Sequence, residues 1–224
     1  MAHTLGTLHH VAPAAPASRL GATALAGGMV AGPLFLGAGL VQSFARDGFD
    51  FTRNAISQLA LGEAGWVQTV NFLVAGTLLI AGAAGLRHLL RSDAGGTWGP
   101  VLVAVFGVSF WAAAAFPADA GAGFPVGAPD PTVMSGHGAA HMAAGMVGYL
   151  ALCAAFVVLS RPLAARGHRG WAVASRLVPV AVLAGFMASA ASVLAFTAGA
   201  GLGLLWLTAV TARLALAPAL PRTV

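Results

Sequence analysis

Long apolar stretches alternate along this chain with short segments that hold nearly all of its charge. A helix crossing a bilayer needs about 20 predominantly apolar residues. Runs of that kind fall near 20–44, 65–86, 98–116, 137–160, 172–196 and 199–217. The pattern predicts an all-α fold, a polytopic membrane bundle of six transmembrane helices within 19–218. Residues 1–18 are polar and Pro/Ala-rich, with no basic segment ahead of an apolar core. They read as a disordered tail and not as a cleaved signal peptide; residues 219–224 make a second tail. Only TAGAG, residues 197–201, separates the last two runs, which predicts a helical hairpin turning on those glycines. Pro33 and Pro179 are expected to kink the first and fifth spans. Gly28 and Gly32, and Gly138, Gly145 and Gly148 in the fourth span, provide the small-residue spacing that lets membrane helices approach closely.

Charge then gives the six spans a direction. All eleven bases are arginines. Under the alternation of six spans, nine of them (Arg19, Arg87, Arg91, Arg161, Arg166, Arg169, Arg176, Arg213 and Arg222) share one side, and Arg46 and Arg53 take the other. Cytoplasmic loops carry the arginine excess, so both termini are expected in the cytoplasm, with the cell membrane as the location. Asp47, Asp50, Glu63, Asp119 and Asp130 then face outward. Trp66 and Trp111 fall at the outer interface, and Trp98 and Trp171 at the inner one, as aromatic belts do.

Composition closes off other classes. Of 224 residues, 58% are hydrophobic and only 8% charged, and mean hydropathy is +0.86, outside the range of soluble domains. The pI of about 11.4 does not mark a nucleic-acid binder. The arginines stand singly or in pairs beside apolar runs, whereas such a surface needs a contiguous basic patch. The lone Cys153 lies inside an apolar run, which excludes an internal disulfide and favours an inert buried thiol.

Candidate chemistry lies on the outward side. Gln42, Ser43, Gln68, Asn71, Ser109, His137, His141, Ser189 and Ser192 all fall in the outer halves of their spans, and the inner halves hold almost nothing comparable. Polar groups in hydrocarbon are costly without partners or water, so this depth pattern predicts an outward-open polar vestibule. The alternative is plain helix-to-helix hydrogen bonding. In HGAAH, His137 and His141 are one turn apart on one helix face. Both imidazoles would then reach one zinc or other divalent ion, or one would orient the other for proton transfer. A third ligand is commonly a carboxylate, and Asp119 or the proline-flanked Asp130 competes for that place. Asp119 or Asp130 is also the candidate acid in a metal-free scheme. In the first outward loop, Arg46 and Arg53 are candidates to grip an anionic headgroup, or else they neutralise Asp47 and Asp50. Asn54, Ser57 and Gln58 follow on an interfacial helix, and with Gln68 and Asn71 they complete the candidate binding set. Ser57 is a conceivable nucleophile, although nothing local in sequence supplies its base. The partners implied are membrane lipid and an amphiphilic small molecule.

With these residues in hand, the chain resembles a family of six-helix bacterial and archaeal membrane proteins catalogued only as a domain of unknown function. The matching pieces are NAISQLALGEAGWVQTVNFLVAGTLLIAGAAGLRHLL (54–90), FPAD (116–119) and HGAAH (137–141), in the family's order. The likeness spans roughly 30–215 and implies the six-helix fold without implying an activity. The family's last hairpin often carries an Arg-containing turn, where this chain reads TAGAGLGLL. A more distant likeness of site logic is to membrane hydrolases of the ceramidase and adiponectin-receptor superfamily, which place a serine, an aspartate and three histidines around zinc. Ser57, Asp119, His137 and His141 echo that set. Leu61 stands where that pattern has a histidine, however, and the histidine pair opens the fourth span instead of the last. Three functions therefore compete: a metal-assisted hydrolase of a lipid or amphiphile, a metal-free acid/base enzyme such as an isoprenoid cyclase, and a non-catalytic binding or accessory protein.

Overall fold

In hydrocarbon no water is present to satisfy backbone N–H and C=O groups, so an apolar run of about 20 residues closes its hydrogen bonds internally as a helix. The computed structural model describes residues 19–130 and 133–217; both expected tails, with Arg222, lie outside them. Six helices follow in order: α1 (Arg19–Phe44), α2 (Gly65–Leu89), α3 (Trp98–Ala115), α4 (Gly136–Ala165), α5 (Arg169–Met187) and α6 (Val193–Leu216). All six are long and apolar enough to cross a membrane. Two 3₁₀ turns, Ile56–Ala60 and Ala188–Ala190, precede α2 and α6. The expected interfacial helix after Arg53 is the first of them, a single short turn. α1 and α5 continue through Pro33 and Pro179.

Each helix packs on its chain neighbour, and α6 returns to α1, so the six close into a ring; α4 also touches α6 across it. Leu79, Phe106, Leu152, Phe156, Leu159, Leu204 and Leu214 are fully buried in the shared core. Glycines set the seams. A Cβ on Gly107 would meet the Gly76 carbonyl at 3.0 Å, and one on Gly199 would meet the Gly185 Cα at 3.2 Å. Thr208 Oγ1 donates to the Met29 carbonyl (3.0 Å) and pins α6 to α1. The ends of α1 and α6 that carry the chain termini share one face of the bundle, called here the terminal end. Segments 45–64 and 116–130 fold over the opposite face as a cap.

One span boundary differs from the expectation. TAGAG lies inside α6, and the turn between α5 and α6 falls at 188–192. The signal is Ser192, whose extended backbone and side-chain oxygen cap α6 by accepting from Ala195 N (3.2 Å), as an N-cap serine does. Gly199 serves packing against Gly185 and makes no turn.

Candidate functional site

The cap is built from polar side chains that are spent on one another. Asn54, fully buried, accepts from Asp50 N through Oδ1 at 3.0 Å and turns its amide toward the Gly121 and Ala122 carbonyls. Gln58 accepts from Ala55 N at 3.0 Å and donates to the Asp119 carbonyl at 3.2 Å. These two amides stitch segment 45–64 to segment 116–130. Arg46 donates to the Leu59 carbonyl at 3.0 Å and to the Leu61 carbonyl, and its guanidinium carbon lies 5.2 Å from the centre of the Phe124 ring. Arg53 pairs with Asp130 at 2.6 Å on the exposed surface, where such a pair contributes about 0–1 kcal/mol. Asp130 therefore partners an arginine and not the histidines.

Asp119 has a structural partner too. Its carboxylate accepts from the Ser135 hydroxyl (2.5 Å) and the Ser135 backbone N–H (2.9 Å), while Ser135 Oγ accepts from Gly138 N at the start of α4. The carboxylate lies against Gly138 so closely that no side chain fits there. The Ser135 hydroxyl, then its backbone N–H, hold the Asp119 carboxyl below the usual carboxylate range. An anion at a helix N-terminus is also favoured by the helix dipole. His137 is exposed and its ring lies 5.7 Å from that of Phe116. His141 is buried one turn deeper, with Nδ1 2.8 Å from the Phe116 carbonyl. Among the described residues, no three His, Cys, Asp or Glu side chains are placed to hold one metal ion. To serve as ligands, Asp119 would have to leave Ser135, and Nδ1 of His141 is already committed.

Beneath the cap, inside the ring, is a cavity of about 370 Å³, within the roughly 300–1,000 Å³ range of small-molecule sites. Every helix contributes one aromatic ring to its wall: Phe35, Phe72, Phe110, Tyr149, Phe186 and Phe196. The rings touch in sequence. Phe35 meets Phe72 and Phe110 at centroid distances of 5.1 and 4.9 Å. Phe106 bridges Phe110 to Tyr149 at 5.1 Å on each side, and Phe186 meets Tyr149 and Phe196 at 4.9 Å. Tilted and edge-to-face pairs at these distances are the favoured geometry. Ser57 and His141 line the cavity at its cap end, and Met142 and Met146 of α4 add flexible apolar wall.

The polar vestibule expected from sequence is thus an apolar chamber. Gln42, Gln68 and Asn71 do lie together, but between α1 and α2 and outside the lining of the chamber. Gln68 Oε1 accepts from Gln42 (2.7 Å) and from Asn71 (3.1 Å), and Asn71 also donates to the Phe35 carbonyl. Ser109 reaches the cavity wall with its hydroxyl donated to Phe106 O. Of the residues singled out from sequence for chemistry, Ser57 and His141 both line the chamber, and Asp119, His137, Arg46 and Arg53 do not. The aromatic belt went unread because no local spacing announces it. One ring sits on each helix, and only a comparison of depth across all six spans would have aligned them.

Fold and chamber together define a multi-pass membrane protein with an aromatic-lined cavity beneath a hydrogen-bonded cap. The chain belongs to the family described as Protein of unknown function (DUF998), whose sequence model matches residues 29–220. No curated protein and no solved structure matches the chain.

Proposed function

We propose that this protein binds the hydrocarbon portion of a membrane amphiphile in the chamber, and that the cap shapes the chamber instead of gripping a charged headgroup. The observation that carries the reading is the belt of six rings, one from each helix, around a volume adequate for a small ligand. Apolar burial is the main favourable term in such a site. Arg46 and Arg53, the only bases of the cap, are committed to carbonyls and to Asp130, which removes the basis for an anionic clamp. Binding without catalysis is favoured over proton-initiated chemistry because no carboxylate lines the chamber among the described residues.

Gly145 offers a direct test. It lines the chamber, and a Cβ built there meets nothing within 4 Å. Gly145→Leu places a bulky side chain on the chamber wall, and its first added atom meets no neighbour. A glycine in a helix interior costs about 1 kcal/mol relative to a good helix former, so the variant will unfold at the same temperature as the parent or higher. Lipid extraction of detergent-purified protein is expected to yield a tightly retained amphiphile from the parent and little from Gly145→Leu. Equal retention by both would remove the chamber from consideration.

The same reading orients the molecule. The terminal end carries Arg19, Arg87, Arg91, Arg161, Arg166, Arg169, Arg176 and Arg213, and the arginine excess supports its placement in the cytoplasm. The cap then lies on the outer surface of the cell membrane. A cysteine appended to the C-terminus of a Cys153→Ala chain is expected to react with an impermeant maleimide only after the cells are opened. Labelling of intact cells would reverse the orientation.

A further inference from the structure

The chamber's polar groups specify what kind of head the bound chain carries. Besides Ser189, five lining residues have hydrogen-bonding side chains, Ser57, Ser109, His141, Tyr149 and Thr197, and two of these are already engaged. Ser109 donates to Phe106 O (2.7 Å) and Tyr149 to Ala200 O (3.4 Å). Thr197 Oγ1 is buried without a partner. Ser57 makes no side-chain hydrogen bond among the described residues. His141 is directional. The Phe116 carbonyl can only accept, so the proton of that 2.8 Å contact is on Nδ1. In the neutral ring Nε2 is then a lone-pair acceptor, on a side chain that lines the chamber. Ser57 is held at the same cap end by the 3₁₀ turn that Gln58 and Arg46 brace.

No charged side chain lines the chamber among the described residues. A carboxylate or phosphate placed there would be a buried charge with no cation, which is strongly unfavourable. It would also bring an acceptor against the Nε2 acceptor. A pure hydrocarbon would displace water from Nε2 and the Ser57 hydroxyl and leave both unmet. The group that satisfies both is one that donates and accepts at a single uncharged oxygen.

Building on the chamber reading above, we propose that the ligand is a neutral long-chain alcohol. Its hydroxyl donates to His141 Nε2 and accepts from Ser57 Oγ, and its chain runs down the aromatic belt. Acyl and isoprenoid chains share this head chemistry, and the chamber's ring-lined wall accommodates either.

The test uses the full chain in maltoside micelles immobilised on scintillation beads, with tritiated decanol as the probe. Decanoate, decyl phosphate and decane serve as unlabelled competitors, with Gly145→Leu as the blocked control. Saturable decanol binding is expected in the parent and absent in Gly145→Leu. One lost neutral hydrogen bond corresponds to roughly a tenfold change, so each competitor should be at least about tenfold weaker than unlabelled decanol. His141→Phe, which keeps an aromatic surface, should weaken decanol by about the same factor, with Ser57→Ala weakening it by several-fold. The competition series needs only the parent chain, so it decides the matter even where His141→Phe fails to fold. If decanoate or decyl phosphate competes as well as decanol while Gly145→Leu stays blocked, the head assignment is overturned and the chamber reading stands. If no compound binds the parent saturably, both fall together.

Discussion

Asp93→Asn will lower stability by about 3–5 kcal/mol, the range for breaking one side of a buried ion pair. Asp93 lies in the connection between α2 and α3, and its carboxylate meets Arg166, the residue that ends α4, at 2.7 Å. The side chains are only 9% and 4% exposed. Arg166 has no alternative acceptor to fall back on, because its Nε and other terminal nitrogen are already buried without partners. Removing the carboxylate charge leaves a guanidinium desolvated and uncompensated, and that penalty, more than the lost attraction, sets the size of the effect. The pair also joins two connections at the terminal end, so its loss will loosen α3 against α4 where no cap holds them. Unfolding in mixed micelles, titrated with denaturing detergent, will report the change. A paired replacement, Asp93→Leu with Arg166→Met, removes both charges and should recover most of the deficit. A single variant within about 0.5 kcal/mol of the parent, the range of ordinary surface substitutions, would show that the pair is solvated in the membrane.

That ion pair also illustrates what a sequence conceals. Arg166 reads as one more orientation charge, and its arrangement opposite Asp93, 73 positions earlier, is set by the packing of α3 on α4. The first four helices were legible because each apolar run is interrupted by charges, prolines or clustered glycines, and these punctuate a membrane helix whatever it packs against. The boundary between the last two was not, because residues 188–201 are nearly all small and apolar. Glycine there has two opposite meanings, a turn or a close helix contact, and the contact of Gly199 with Gly185 is invisible until both helices are in place.

The candidate site divides along the same line. His141 and Ser57 stood out because an imidazole and a hydroxyl near an apolar run are chemically unusual, and both line the chamber. His137 shares the helix face of His141 but sits one turn nearer the surface, where depth and not facing decides its environment. Asp119 reads in sequence as a candidate metal ligand or acid. Its partner Ser135 lies 16 residues away, and a carboxylate that caps a helix carries the same local signature as one that ligates a metal. Gln42, Gln68 and Asn71 enter the seam between α1 and α2 and not the chamber, since the depth of a residue in a span does not say which seam its side chain enters.

Gly82→Leu is the substitution expected to prevent folding outright. α1 and α2 cross with Gly28 and Gly82 in backbone contact, and a Cβ on Gly82 would stand 2.5 Å from the Gly28 Cα. Overpacking costs about 1–3 kcal/mol when side chains can shift aside. Here the first added atom already meets main chain, so no rotamer relieves it and the helices must separate. Separation propagates, because Gly85 lies against the backbone of Leu25 in the same seam and α1 is also held on its other side, where Gly32 faces the Leu204 carbonyl. α1 carries Phe35 and α2 carries Phe72, so any surviving fold would have an opened aromatic belt and no retained amphiphile. Gly82→Leu is expected to elute from size exclusion as aggregate and to lack a cooperative thermal transition. Gly37→Leu, on α1 with nothing within 4 Å of its added Cβ, should behave as the parent does and separates the seam from any general intolerance of leucine. If Gly82→Leu instead gives a folded, monodisperse protein that still retains its ligand, the α1–α2 crossing is wider than the contact of Gly28 and Gly82 implies, and the chamber does not depend on it.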